Sequence, residues 1–577
     1  MKKILKKILE EVKKEAGIDF KFEVNYPANR SFGHYSTNYA LILAKLKKEN
    51  PQKLAEEVVK SLESKIEFSS KFTAQVVKPG FINFWIKKKT LTKMLEGMLE
   101  TGADYGRSKL LSGKKIMVEY AQPNPCKSFH VGHLRNIIIG ESLARVLENA
   151  GAKVIRTNYQ GDVGLHVAKC FWGMKNNKQA QSLKLETTNE KVDYLTGCYV
   201  AGDKAYQENK QAQIEIRKFN EDIYAMKGEI KQEWEEKRQW SLDKFKQIFQ
   251  RVNTKFDHYY FESEMFQEGI KKCQEAKEKK ILVEDDKCLI FDGDQYGLNK
   301  RVFVNKQGLP TYEGKELALA FKEFTDFGEL AKVIHVVANE QINFFRITFL
   351  VEKLLDEKLF DDKQFHLSYG LVNLRNGKMS SRKGNVILGE QIIEKVKEEV
   401  LKLLREDKTE GPEEREQIAE NVAIGAVKYS FLAINPSKDI SFDLKESVRM
   451  DGRSGPYIIY SYVRAVNLLK KLAAEGYTLK TTGLKEDIIC EEGMKLAYCM
   501  SKFPDLTREV AKNYQLSLIA SYAYNLASIF ANFYDGCPIL KQQDKDLQQV
   551  RVGLVAAFKE TLGRCLDLLG IKRIDKM

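Results

Sequence analysis

Histidine is scarce in this chain, with seven in 577 residues, and none of its nine cysteines falls in a CxxC pair. The missing pairs argue against a disulfide framework and against a common zinc finger, leaving reduced, buried thiols as the reading. No apolar run approaches the ~18 residues that a membrane span requires. The opening stretch "MKKILKKILEEVKKEAG" has basic residues but no long apolar core and no small-residue cleavage site. It reads as an amphipathic helix with Ile4, Leu5, Ile8 and Val12 on one face, not as a signal peptide. A cytoplasmic protein without a membrane partner is therefore expected. Internal repeats and low-complexity tracts are also missing, which excludes solenoids and disordered arrays.

What is present is length and charge. At about 150 residues per domain, the chain should hold three or four domains. Apolar residues at 43% suffice for their cores, and charged residues at 30% suit a soluble protein. Lys and Arg exceed Asp and Glu by 14. Such an excess fits a polyanion partner, because each neutralised phosphate releases counterions, although a lysine-rich solvated surface would give the same number.

Residues 1 to about 105 read as a compact α+β piece. A first helix is followed by a long second one through "YALILAKLKKENPQKLAEEVVKSLESK" and by the alternating "FTAQVVKPGFINFWIKKK". The Gly- and Lys-rich "TGADYGRSKLLSGKK" looks like a linker. Next come the strand "KIMVEYA", the helix "LRNIIIGESLARVLENAG" and the strand "AKVIRTNY", a βαβ unit and hence a parallel sheet. Residues 176 to about 285 are strongly charged and read as a helical insertion, clearest in "NKQAQIEIRKFNEDIYAMKGEIKQEWEEKRQW". Strand patterns return at "KCLIFDG", "RVFVN" and "AKVIHVVANE" before a nearly all-helical region, 406–577. The expected division is 1–105, 106–405 and 406–577, a multidomain α/β chain.

Two of the seven histidines, His130 and His133, lie in "PNPCKSFHVGHLRN". Pro123 and Pro125 keep the preceding residues out of helix, so the segment is a loop leaving a strand. Three residues apart at a helix start, the imidazoles share a side, and Gly132 between them leaves room for a ligand against the backbone. A helix amino terminus offers free N–H groups and partial positive charge to phosphate, and two imidazoles can stabilise phosphate as charge develops on it. Two other readings compete. The histidines could be helix caps, or Cys126, His130 and His133 could bind a metal, though no fourth ligand stands at motif spacing.

About 245 residues downstream, "NGKMSSRKGNVI" crowds Lys378, Arg382 and Lys383 into a Gly- and Ser-bearing loop. Such a loop suits a pyrophosphate leaving group clamped as the loop closes. Alone it could be an ordinary basic turn, but paired with HVGH across a βαβ pattern it is far more specific.

With both motifs in hand the sequence resembles the class I aminoacyl-tRNA synthetases, HVGH being similar to their HIGH motif and KMSSR to their KMSKS motif. "VEYAQPNPCKSFHVGHLRNIIIG", the pair "GHYSTNYALILAK" and "KPGFINF", and the C-terminal "SGPYIIYSYVRAVNLLKK" narrow the resemblance to the arginyl-tRNA synthetase family. The match weakens only over residues 176–305. The resemblance implies a Rossmann-type catalytic domain, an N-terminal tRNA-contacting α+β domain and a C-terminal helical-bundle anticodon-binding domain. It also implies ATP with Mg²⁺ as substrate complex, no tightly bound protein metal, L-arginine and its tRNA as partners, and tRNA bound before arginine is activated. No oligomerisation element stands out, so a monomer is expected.

Several residues carry over. For ATP these are Lys127, His130, Gly132, His133, Lys378, Met379, Ser380 and Ser381, with Lys127, His130, His133, Lys378, Arg382 and Lys383 as the catalytic set. Ser381 replaces the second lysine of KMSKS, and Lys127, Lys378 or Lys383 could substitute for it. For arginine they are Glu119, Asn124, His130, Tyr312, Glu316 and one of Glu340 and Gln341. The residue chemistry agrees independently: an always-protonated guanidinium is best held by carboxylates, and Glu119 ends a strand where open α/β sheets bind ligands. Tyr312 and Glu316 stand one helical turn apart in "LPTYEGKELALA". Asp162 in "NYQGDVG" resembles a family turn near the substrates. For tRNA the candidates are Phe81, Asn83, Tyr457, Tyr460 and Arg464. Aromatics in a tRNA-facing groove stack on unpaired bases, though aromatics at these spacings also build cores.

Overall fold

The computed structural model describes residues 1–27, 29–176, 185–226, 228–375, 388–404, 411–486 and 488–577. By contacts the chain forms two compact units. One comprises Met1–Gly106, Tyr460–Leu506 and Ala523–Arg564, and the other Arg107–Ile459, Thr507–Tyr522 and Cys565–Met577. This grouping follows packing, whereas the three-part division above follows chain position.

In the first unit a four-stranded antiparallel sheet runs Val24–Asn25, Tyr35–Thr37, Phe81–Ile86, Phe72–Val77. The helix Lys2–Glu15 buries Leu5, Ile8, Leu9 and Val12, the stripe its periodicity requires. The single long helix expected through "YALILAKLKKENPQKLAEEVVKSLESK" is in fact two, Tyr39–Lys47 and Pro51–Ser64. Lys48 turns left-handed at φ 58°, and the Asn50 side chain caps the second helix by accepting from Gln52 N (2.8 Å) and Lys53 N (3.2 Å). Pro51 then takes the first helical position, where its missing N–H costs nothing.

The second unit is built on a five-stranded, all-parallel sheet in the order Gln364–Tyr369, Lys332–Ala338, Lys115–Glu119, Lys153–Gln160, His258–Phe261. Numbered along the chain this is 5-4-1-2-3, the doubly wound order, with its switch point between Lys115–Glu119 and Lys332–Ala338. The helix Val131–Asn149 follows the first strand and is buried along nearly its whole length. "KCLIFDG" and "RVFVN" are strands, Cys288–Phe291 and Arg301–Val304, but they form a separate antiparallel sheet with Val283–Asp285. The charged insertion holds the helices Thr188–Glu208, Lys210–Ala225 and Gly228–Arg251. Its apolar faces share a core with Val163, Val167, Phe171 and Cys126.

Residues from the far end of the chain complete this unit. Ser142 Oγ donates to Leu568 O (2.8 Å) and Arg145 to Asp567 O (3.3 Å), both from the helix Val131–Asn149. Lys428, buried in the helix Pro412–Leu432, donates to Val252 O (2.7 Å) and Gly570 O (2.5 Å). Burial, and then the Arg145 charge, bring its ammonium down to about 7. Among the described residues, no helix is long and apolar enough to cross a membrane.

Candidate active site

The site is assembled where the first strand gives way to the helix Val131–Asn149. Between them Ala121, Gln122 and Cys126 have positive φ (81°, 47° and 66°), a conformation that non-glycine residues adopt only when held. Ser241 Oγ accepts from Cys126 N (3.1 Å), and Asn136 supplies the hold at Ala121 and Gln122. Its Oδ1 accepts from Ala121 N (2.6 Å), while Nδ2 donates to Gln122 Oε1 (3.1 Å), Val336 O (2.7 Å) and the Tyr369 hydroxyl (3.2 Å). One step earlier, the buried Arg135 guanidinium donates to the carbonyls of Gly370, Leu371, Pro436 and Lys438 at 2.5–3.0 Å.

His130 is the N-cap of that helix. Its Nδ1 accepts from Gly132 N (3.1 Å), and His133 Nδ1 accepts in return from His130 N (3.3 Å), a reciprocal capping box made of two imidazoles. The rings stack with centroids 3.8 Å apart and planes at 20°. Because each Nδ1 accepts, each ring carries its proton on Nε2, leaving two N–H donors outside the cap. Burial lowers the pKa of both imidazoles, and the Lys127 charge lowers it further, so they are neutral at physiological pH. Capping and ligand binding are thus compatible, using different nitrogens.

Lys127 is half-buried with Nζ over the Tyr199 ring at 5.4 Å, and burial lowers its pKa. Among the described residues no ion pair involves it. Asn124 Oδ1 accepts from Gly161 N (3.2 Å); a Cβ at Gly161 would come within 2.6 Å of that oxygen, so the approach needs glycine. Asp162 accepts from Ser263 N (2.9 Å) and Oγ (2.7 Å) and pairs with Arg238 (3.1 Å). It ties the turn together.

Lys378, Met379, Ser380, Ser381, Arg382 and Lys383 lie outside the described residues. The segments flanking them are in place. Val372–Leu374 pairs in parallel with Ile440–Phe442, and on the other side Leu388 bridges His130 while Gly389 N donates to Phe129 O (3.1 Å).

At the switch point, Glu119 and His335 are register partners on neighbouring strands, and both are buried. The Glu119 carboxylate accepts from Gln122 Nε2 (2.7 and 2.6 Å) and from Tyr159 N (3.4 Å), and meets His335 Nδ1 at 3.3 Å. Glu316, buried in the helix Tyr312–Phe327, faces the same ring at 3.9 Å. Although burial opposes it, the hydrogen bond to Glu119 and the charge of Glu316 raise His335 to about 9. Burial drives Glu316 and Glu323 well above the ordinary carboxylate range and Glu352 up to about 7. The His335 ring thus lies between the carboxyl groups of Glu119 and Glu316, whose titrations are coupled to its own. His335, Gln122 and Asn136 were not singled out from the sequence; a histidine inside the apolar run "VIHVVA" was the available signal for the first.

Comparison with known proteins gives the family. The family described as tRNA synthetases class I (R), catalytic domain, matches residues 94–444. This chain belongs to that arginyl class I synthetase family. The DALR anticodon binding domain matches residues 458–577, and the arginyl tRNA synthetase N terminal domain matches residues 1–86. The arginine–tRNA ligase of Treponema denticola is 33% identical over 544 residues, covering 92% of this chain and 91% of that protein. That of Fusobacterium nucleatum is 30% identical over 570 residues, covering 96% and 95%. In fold, the Thermus thermophilus arginyl-tRNA synthetase superposes with a TM-score of 0.80 at 23% identity, covering both chains fully.

The remaining candidate residues fall at defined places. Tyr312 is exposed at the first position of its helix, with Lys315 Nζ 4.8 Å from its ring centroid. Lys315 is itself ion-paired with the buried Glu262. Glu340 and Gln341 are exposed in the turn Asn339–Gln341 that ends the strand Lys332–Ala338. Phe81 is exposed, whereas Asn83 is buried, in register with Ser36 and Gln75. On the helix Gly455–Ala474, Tyr460 is exposed, while Arg464 lies 3.8 Å from the Tyr534 ring centroid and pairs with Asp535 at 3.1 Å. Tyr457 is half-buried.

Proposed function

We propose that this chain attaches L-arginine to the 3′ end of its tRNA through an arginyl-adenylate, consuming ATP as its Mg²⁺ complex and releasing AMP and pyrophosphate. The reading rests on the buried carboxyls of Glu119 and Glu316 at the sheet's switch point, joined by one short loop to the stacked histidines. Glu119 and Glu316 take the guanidinium, with Tyr312 as a further contact. Asn124 and one of Glu340 and Gln341 hold the α-amino and carboxyl groups, which His130 also adjoins. Arginine's carboxylate then attacks the α-phosphorus in line, and catalysis is positioning and charge stabilisation.

The Nε2–H groups of His130 and His133 and the Lys127 ammonium stabilise the α-phosphate region. Gly132 lets the nucleotide lie against the helix start, and Lys378, Met379, Ser380, Ser381, Arg382 and Lys383 hold the departing pyrophosphate. Residues 1–105, through Phe81 and Asn83, and 406–577, through Tyr457, Tyr460 and Arg464, contact the tRNA. The chain acts as a cytoplasmic monomer. ATP–pyrophosphate exchange tests the reading, run with each amino acid, with and without tRNA specific for arginine. Exchange with arginine alone among amino acids, and only when that tRNA is present, is the expected result. Tight tRNA binding without exchange for any amino acid would refute the catalytic assignment.

A further inference from the structure

Two cysteines meet in the helical part of the first unit. Cys490 is the N-cap of the helix Glu491–Ser501, and Cys537 directly follows the helix Ser517–Gly536. Both are free thiols, and their Sγ atoms are 3.0 Å apart. That is closer than two unbonded sulfurs ordinarily sit and about 1 Å beyond the S–S bond length.

Their surroundings differ. Cys537 is buried, and burial followed by the Cys490 hydrogen bond pushes its thiol up to about 12, so it waits as a protonated group. Cys490 is half-buried and open to a small molecule. Cys126 and Cys170 also adjoin each other, but both are buried, which closes them to a solvent-borne oxidant.

We propose that Cys490 and Cys537 form a reversible modification site, converted to an intramolecular disulfide by a low-molecular-weight disulfide oxidant of the glutathione class. The Cys490 thiolate attacks one oxidant sulfur, forming a mixed disulfide and releasing the first small thiolate. Cys537 then gives up its proton and attacks the Cys490 sulfur, expelling the second. Two protein thiols are oxidised, one small disulfide is reduced to two thiols, and the protein's two protons leave on those thiols. The new bond ties the start of one helix to the end of another.

The test treats the full chain with oxidised glutathione, blocks the remaining thiols by alkylation, and maps peptides by mass spectrometry. The wild type is run beside C490S and C537S. The expected result is a Cys490–Cys537 crosslinked peptide, a fall of two in the thiol count and full reversal by dithiothreitol, with C537S stopping at the mixed disulfide on Cys490. Three results would overturn the proposal: no reaction at Cys490, a wild-type mixed disulfide that never resolves, or a bound zinc ion that blocks oxidation. The last would make the pair, with the neighbouring Glu492 carboxylate, a metal site instead.

Discussion

His130 and His133 each use one ring nitrogen for the helix cap and keep the other outside it, so conservative substitutions can separate capping from the proposed catalytic role. Asparagine is a strong N-cap, and glutamine serves at the third position of a capping box. H130N and H133Q should therefore stay within about 1 kcal/mol of wild-type stability in urea titrations. Their kcat for arginine activation should fall roughly 10²–10³-fold, the cost of losing one donor to a developing charge. An equal loss of stability and turnover would mean that the histidines act as caps alone. His335 gives a second residue-scale expectation. Its folded pKa, raised to about 9 from an ordinary 6.5, means that its stabilisation is complete below about pH 6.5 and is lost as pH rises through about 9. The stability gap between wild type and H335Q should thus shrink from pH 6.5 to 9.5, as read from denaturant midpoints at half-unit intervals. A gap independent of pH would remove the charged imidazolium from the pocket.

Among the elements, the strand–loop–helix passage from Glu119 to Arg135 depends on side chains that reach distant backbone. Arg135 holds the carbonyls of Gly370, Leu371, Pro436 and Lys438, on both sides of the segment leading to the basic loop. R135M keeps the volume but strands those acceptors, and should cost on the order of 3 kcal/mol in urea unfolding. Retention of wild-type stability would show that water replaces the guanidinium freely. The passage itself was legible in the sequence, because prolines, a histidine pair and an apolar helix are local signals. The placement of Glu119 at a strand end and of Glu316 on a helix was legible for the same reason. His335 was not, since its partnership with Glu119 is set by strand register between residues 216 apart in the chain. The break at Lys48 was missed because the apolar spacing continues across it, while Asn50 and Pro51 act only locally. Cys490 and Cys537 are invisible to motif reading for the same long-range reason.

For the whole molecule, the excess of 14 positive charges predicts how binding responds to salt. The affinity for tRNA should weaken by at least roughly tenfold between 50 and 200 mM salt, because phosphate contacts release counterions. The KM for arginine should change by less than about twofold over that range, since a desolvated pocket is poorly screened. Filter binding and initial rates check both, and a salt-insensitive tRNA affinity would refute the polyanion reading of the charge. Chain order adds a constraint of another kind. The helix that begins with the paired histidines is fastened to Asp567 and Leu568, and Lys428 reaches Gly570. During synthesis, the sheet and its histidine loop leave the ribosome more than 100 residues before these partners do. A ribosome that stalls before residue 567 therefore yields a chain with every candidate site residue but without these partners for the helix that starts at the histidines.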